Sequence, residues 1–195
     1  MGVRGAWCGR PPFPVGRCAA RAAEPACQFR NRALLRARCS VDELRYELLY
    51  DIEFDLDSPL EVGPTPTGER RIVYITGGTF GGPRLKRRVL PGGGDWLVVR
   101  PNGGAILDVR ACLKTDDGAI IYTYYGGRLV VPSELLPLWR DRQTSAKIDP
   151  ARYYFRIAPV YETASERYAW LNDVVAVGVG RRTPTGVAYR VFEIK

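Results

Sequence analysis

The chain has 195 residues, 46% of them apolar and 11% aromatic, and carries a formal net charge of +8. That length suits one ordinary domain, and that composition excludes wholesale disorder. No run of about 18 apolar residues occurs, so no membrane-spanning helix and no membrane partner are expected.

The charge is uneven. Residues 1–40 hold eight arginines and one acid, Glu24, whereas residues 41–195 hold 21 basic and 20 acidic side chains. A nearly neutral domain lacks the basic face that phosphate-neutralising binding needs, so no nucleic-acid partner is expected. Cys8, Cys18, Cys27 and Cys39 fall in the first forty residues at spacings of 10, 9 and 12. Without a CxxC pair they make no zinc motif, and the pattern fits a reducing, cytoplasmic setting without structural disulfides. Cys112 lies in a strand, where it reads as a small buried hydrophobe. The sequence contains no histidine, which excludes Ser-His-Asp and Cys-His nucleophile systems and every His-ligated metal centre. Any catalysis falls to Asp, Glu, Tyr, Arg, Lys or the backbone, and no metal or cofactor is expected.

Residues 1–40 show little periodicity and read as a disordered basic leader, or as an upstream extension from a misplaced start codon. A transit peptide is the alternative, and a secretory signal is not expected because no apolar stretch follows the early arginines. The domain is expected over 41–195. From Leu44 to Leu56 every even position is apolar or aromatic, while five of the six odd positions are charged. Period two over that length predicts a long strand with one wet face. Pro59 and the segment Gly63-Pro64-Thr65-Pro66-Thr67-Gly68 predict a loop.

Further strand-like runs follow, each bounded by turn residues. They are 70–76, ending at Gly77-Gly78; 85–90, ending at Pro91 and three glycines; 95–100, before Pro101-Asn102-Gly103; and 105–114, before Asp116-Asp117-Gly118. The run 119–125 meets Gly126-Gly127 and leads into 128–131. One short helix is predicted from Pro132-Ser133-Glu134 toward Trp139, limited by Pro137. Strands resume at 153–157, 160–163, 168–171, 174–179 and 187–194. So many short-looped strands would expose edges in a flat sheet, which predicts an all-β, closed antiparallel barrel of about eight to ten strands, with a sandwich as the alternative. Gly178 and Gly180 suit the bends of a closed sheet.

The block GGTFGGPRLKRRVLPGGGDW (Gly77 to Trp96) resembles the signature of the domain-of-unknown-function family 3237. So do LDVR (Leu107–Arg110), TDDGA (Thr115–Ala119), YFR (Tyr154–Arg156), YET (Tyr161–Thr163), YAWLN (Tyr168–Asn172) and VGVG (Val177–Gly180). The resemblance runs from about residue 44 to the C-terminus. It implies a β-barrel similar to allene oxide cyclases and dirigent proteins, which guide cyclisation or coupling of small molecules without a metal. Arg88 departs from the glycine expected there and puts the local packing of that strand in question.

Several constellations could carry chemistry. Asp108 and Arg110 share one face of their strand; inside the lumen they could hold a polar group or position a proton, and on the outside they are an ion pair on a wet face. Asp95-Trp96 follows the triple glycine, where Asp95 could act as acid or base and Trp96 could floor a pocket, or they could cap a turn and fill the core. Tyr122, Tyr124, Arg156, Glu162, Tyr168, Trp170 and Asn172 interleave apolar walls with polar anchors, either as a pocket or as core residues with snorkelling tips. Asp116-Asp117 lacks the further oxygen ligands of a calcium loop, and the triple glycine is no phosphate loop.

The expected function is a cofactor-independent cyclase or isomerase of a small, partly apolar metabolite in the lumen. Asp95, Asp108 or Glu162 would move a proton; Arg110 or Arg156 would stabilise negative charge; the aromatic residues and Asn172 would shape the substrate. A non-catalytic small-molecule-binding barrel and a self-filled structural barrel are the alternatives. Homo-oligomerisation is compatible with the sequence and not specified by it.

Overall fold

The computed structural model describes residues 43–195, so the leader and its four cysteines lie outside the described residues. The strands are β1 (Tyr46–Leu56), β2 (Leu60–Thr65), β3 (Gly68–Gly81), β4 (Lys86–Asp95), β5 (Val98–Val99), β6 (Ala105–Thr115), β7 (Ile120–Val130), β8 (Tyr154–Glu162), β9 (Ala176–Arg182) and β10 (Gly186–Ile194). They hydrogen-bond in the order β1-β10-β9-β8-β7-β6-β4-β3, and β1 also pairs with β3. That last ladder closes an eight-stranded antiparallel barrel, which leaves no long unpaired edge among its staves. The short β2 and β5 attach to β3, and β5 also bridges to β6.

Closure gives each strand an inner and an outer face. On β6, Leu107, Val109, Ala111 and Leu113 are buried while Asp108 and Arg110 are exposed. On β7 the buried set is Ile121, Thr123 and Tyr125; on β8 it includes Phe155, Ile157 and Tyr161. The interior is therefore one continuous cluster, to which β1 adds Tyr50, Ile52 and Phe54, and β10 adds Tyr189 and Val191. Two glycines admit this packing. A Cβ on Gly180 would lie 2.6 Å from the Phe155 ring, and one on Gly78, whose φ is 140°, would lie 2.0 Å from the Glu53 carbonyl oxygen.

Several expected boundaries shift. The glycines and proline at 77–78, 91–94 and 126–127 lie inside β3, β4 and β7 rather than ending them. Register irregularities between Tyr74 and Thr79 and between Leu90 and Gly94 absorb the first two runs as bulges. The expected loop around Gly63 includes β2, a strand on the side of β3, where Pro64 is tolerated because the ladder is short. Residues 168–171, read as a strand, belong to a 3₁₀ segment, Glu166–Asp173. The helix expected after Pro132 is a 3₁₀ turn, Ser133–Leu135, continuing as Leu136–Trp139. A second short helix, Arg142–Ser145, is capped by Asp141, whose carboxylate accepts from the Thr144 N–H at 2.7 Å.

Deep in the barrel the Tyr50 and Tyr161 hydroxyls meet at 2.7 Å, with rings edge to face. Burial holds both phenols well above the ordinary range. Removing one hydroxyl leaves its partner unsatisfied in an apolar setting. Tyr50→Phe or Tyr161→Phe alone should therefore destabilise the fold by about 1–3 kcal/mol, and the double variant by less than the sum of the two. Urea unfolding of the three variants measures this, and strict additivity would contradict it.

Candidate active site

Asp95 ends β4, where its register partners are Val73 on β3 and Val109 on β6. Both partners are core residues, so the pleat turns the Asp95 carboxylate inward. One oxygen accepts the Asp108 backbone N–H at 3.0 Å. The residue keeps some solvent contact, yet its surroundings are dense enough that burial pushes its pKa up to about 7. The Asp108 N–H and the Arg70 charge oppose that rise, and the Asp108 carboxylate adds to it. A carboxyl group poised near neutrality can both give and take a proton.

Two tyrosines adjoin it. Tyr125 pairs in register with Val109, and its ring lies 5.9 Å from that of Tyr189 in an edge-to-face arrangement. Burial raises both phenols far above their usual range, and the Asp95 charge contributes to each rise. Both hydroxyls therefore stay protonated and serve as hydrogen-bonding groups rather than bases. Tyr189 also packs edge to face with Phe54 at 6.0 Å and Phe155 at 5.1 Å. The result is an acid set in an aromatic wall.

At the end of β9, Arg182 takes the inward position after Gly178 and Gly180, with Val187 as its register partner. Its guanidinium lies 5.2 Å from the Trp139 ring, and Trp139 in turn packs on Tyr153 at 4.9 Å. Arg182 lowers the Tyr189 pKa where Asp95 raises it, so that phenol lies within reach of both charges. Among the described residues, Arg182 Nε and Thr123 Oγ1 are buried without a hydrogen-bond partner. Such groups remain free to bond a water or another polar partner.

The residues singled out from sequence divide between two faces. Asp108 and Arg110, which the catalytic reading placed in the lumen and its alternative on a wet face, lie outside as an exposed ion pair at 2.9 Å, because Leu107 and Val109 take the inner positions of β6. Tyr122, Tyr124, Arg156 and Glu162 are likewise on the outer faces of β7 and β8, and Tyr122 stacks on Tyr124 at 5.6 Å. The Arg156 guanidinium donates to the Phe155 carbonyl at 2.9 Å and lies over Tyr154, so it does not pair with Glu162. Trp96 folds outward near Gly94 with Arg110 5.3 Å from its ring. Tyr168 is buried in the 3₁₀ segment, Trp170 stacks under Arg84 at 3.6 Å, and Asn172 braces Thr163 through two hydrogen bonds. Of that set Asp95 joins the interior polar cluster.

Tyr125, Tyr189, Arg182 and Thr123 escaped the sequence reading. The signal was available: in 105–114 the aliphatic face needed to be inside, and the same pleat carried across the ladder would have turned Tyr125 and Thr123 inward. Cys112 is a half-exposed free thiol on the outer side of β6.

Two concavities lie on the outer surface. One, of about 700 Å³, crosses β1, β3, β9 and β10; the other, of about 550 Å³, lies beside Arg128, Tyr154 and Arg156. In the first, Asp51 and Arg190 are exposed and paired at 2.8 Å. Neither is lined by Asp95 or Arg182. Among the described residues no group of three or more Cys, Asp or Glu could hold a metal ion, and no helix is long and apolar enough to cross a membrane.

Asp95 titrates near the ordinary value of about 3.9 when unfolded but about 7 when folded. Between those values the folded state holds a proton that the unfolded chain releases, so stability falls as pH rises through this window and levels off above it. Asp95→Asn keeps an acceptor for the Asp108 N–H and removes the charge. Its thermal midpoint should exceed that of the wild type at pH 8 and coincide with it at pH 4; equal midpoints at both would contradict the assignment. Asp108→Asn, at an exposed pair, should change stability by less than about 1 kcal/mol in the same assay.

Comparison with known proteins agrees with this architecture. Residues 44–194 match the family described as protein of unknown function (DUF3237). A UPF0311 protein of Clostridium acetobutylicum is 33% identical over 156 residues, covering 80% of this chain and 97% of the relative. The crystal structure of a conserved protein from Rhodopseudomonas palustris superposes with a TM-score of 0.72 at 32% identity, covering 78% of this chain and 99% of the other. A hydroalkoxylation enzyme of Penicillium herquei is a more distant relative, 28% identical over 135 residues, covering 66% of this chain and 72% of that enzyme. With one unbroken match spanning the whole barrel from β1 to β10, the chain belongs to the DUF3237 family.

Proposed function

We propose that the barrel is a cofactor-independent cyclase or isomerase acting on a small, partly apolar metabolite bound in its interior. Asp95 carries the reading: an inward carboxyl group without an ion-pair partner among the described residues, raised to about 7 by burial and flanked by Tyr125 and Tyr189. The distant relation to a hydroalkoxylation enzyme supports it, since hydroalkoxylation adds a hydroxyl O–H across a carbon–carbon double bond. Within one molecule that addition is a ring closure and a net isomerisation.

One carboxyl group can complete such a cycle. Protonated Asp95 gives its proton to one alkene carbon and becomes a carboxylate, leaving the adjacent carbon electron-poor. The substrate hydroxyl oxygen forms the new C–O bond to that carbon, and its proton passes to the carboxylate, restoring the acid. Tyr125 and Tyr189 hold the substrate oxygen by hydrogen bonding, and Phe54 and Phe155 exclude water from the electron-poor carbon.

The full chain incubated with alkenylphenols and hydroxyl-bearing enones should yield cyclic isomers of unchanged mass, separable by chromatography. Asp95→Asn should lower the rate by about 10²–10⁴-fold, and kcat/KM should decline as pH rises through about 7 because the protonated acid starts the cycle. A wild-type rate in Asp95→Asn overturns the proposal. So does an unreacted ligand, found by native mass spectrometry, that the protein carries but never converts; that outcome identifies a binding barrel.

A further inference from the structure

Arg182 bears a charge that nothing nearby balances. Among the described residues no carboxylate lies within ion-pair distance of Arg182 or of its neighbour Arg142. Arg142 donates to the backbone carbonyls of Leu56, Asp57 and Thr185 at 2.8, 2.9 and 3.2 Å, which leaves its own charge in place. Burial and the Arg142 charge both oppose the charged form of Arg182, yet a guanidinium does not give up its proton in a protein. A desolvated cation with a free Nε donor, beside a second cation, is a strong attractor for an anion.

The surroundings give that anion a shape. Trp139 lies over the guanidinium and covers it from one side. The Tyr153 hydroxyl accepts the Arg182 backbone N–H at 3.2 Å, so its own proton is available to a guest. Inward from Arg182 come Tyr189 and the aromatic wall. Asp95 does not neutralise the guanidinium, because the arginine that acts on its carboxyl group is Arg70.

We infer that the ligand of this barrel carries an oxyanion, a carboxylate or an ionised enol or phenol, which docks on Arg182 beneath Trp139 while its apolar body extends along Tyr189 toward Asp95. The inference rests on the interior being a small-molecule site, and it adds the charge and orientation of the guest. An aryl carboxylate and an ionised phenol present the same planar oxyanion to a guanidinium, so separate probes distinguish them.

Binding of 1-naphthoate, its neutral analogue 1-naphthamide and 4-nitrophenol to the full chain is measured by calorimetry and absorbance. Wild type should bind naphthoate about 10- to 100-fold more tightly than naphthamide. Arg182→Gln should abolish that preference, and Arg182→Lys should retain part of it. A preference for naphthoate assigns a carboxylate guest; bound nitrophenol in its yellow, ionised form at a pH where the free phenol is largely neutral assigns a phenolate. Equal affinity of wild type for naphthoate and naphthamide without nitrophenol ionisation, an anion preference that survives in Arg182→Gln, or failure of all three probes to bind at millimolar concentration overturns the inference. Asp95→Asn should keep the preference, so anion binding without turnover would remove the catalytic reading alone, and turnover without anion preference would remove this one alone.

Discussion

The pairing of β1 with both β10 and β3 is the constraint on which the rest depends. It turns eight strands into a wall with one inside and one outside, and every side-chain role follows from that division. Leu107, Val109 and Tyr125 become core because the pleat places them inward, and Asp108 and Arg110 become a solvated pair because they alternate with them. The register irregularity at Asp55/Leu56 and the positive φ of Gly78 let β3 bend enough to meet β1. A side chain at Gly78 would collide with the Glu53 carbonyl and push that seam apart.

Within this wall most of the volume is aliphatic and aromatic, and a few polar groups interrupt it. Tyr50 and Tyr161 satisfy each other. Asp95, Thr123, Tyr189 and Arg182 are not satisfied in the same way: one acid is held near neutrality by desolvation, one hydroxyl and one guanidinium nitrogen lack partners among the described residues, and one phenol lies between two charges. A barrel selected for stability alone would replace these groups with aliphatic ones. Their concentration in the interior supports the proposed chemistry, which needs proton movement and charge stabilisation.

Much of the architecture was legible in the sequence. The alternation over 44–56, the Asn-Gly and Asp-Gly hairpin signals and the number of short runs all pointed to an antiparallel barrel, because period two and turn chemistry are local properties. The glycine runs do not end their strands as expected: locally Gly-Gly is a breaker, whereas in a closed sheet it supplies a bulge or, at Gly127, the space that Leu107 and Ile157 need. The segment around Tyr168 looks β-like by composition, but it folds as 3₁₀, which lets Tyr168 and Leu171 both pack into the core. Asp95 was visible as a lone acid after three glycines and Tyr125 could be placed only through the pleat of 105–114, while nothing local marked Tyr189 or Arg182.

By itself the sequence determined the class of fold, the near-neutral charge of the domain and the absence of histidine chemistry, since composition and alternation need no partner to be read. Tertiary structure alone decided which face of each strand is the inside. Alternation gives two faces and no sign, and the sign comes from which set of side chains fills a closed interior together. For β6 that choice sent Asp108 and Arg110 to the solvent, and for β4 and β9 it sent Asp95 and Arg182 inward, where low polarity shifts an acid toward neutrality and leaves a guanidinium without a counter-charge.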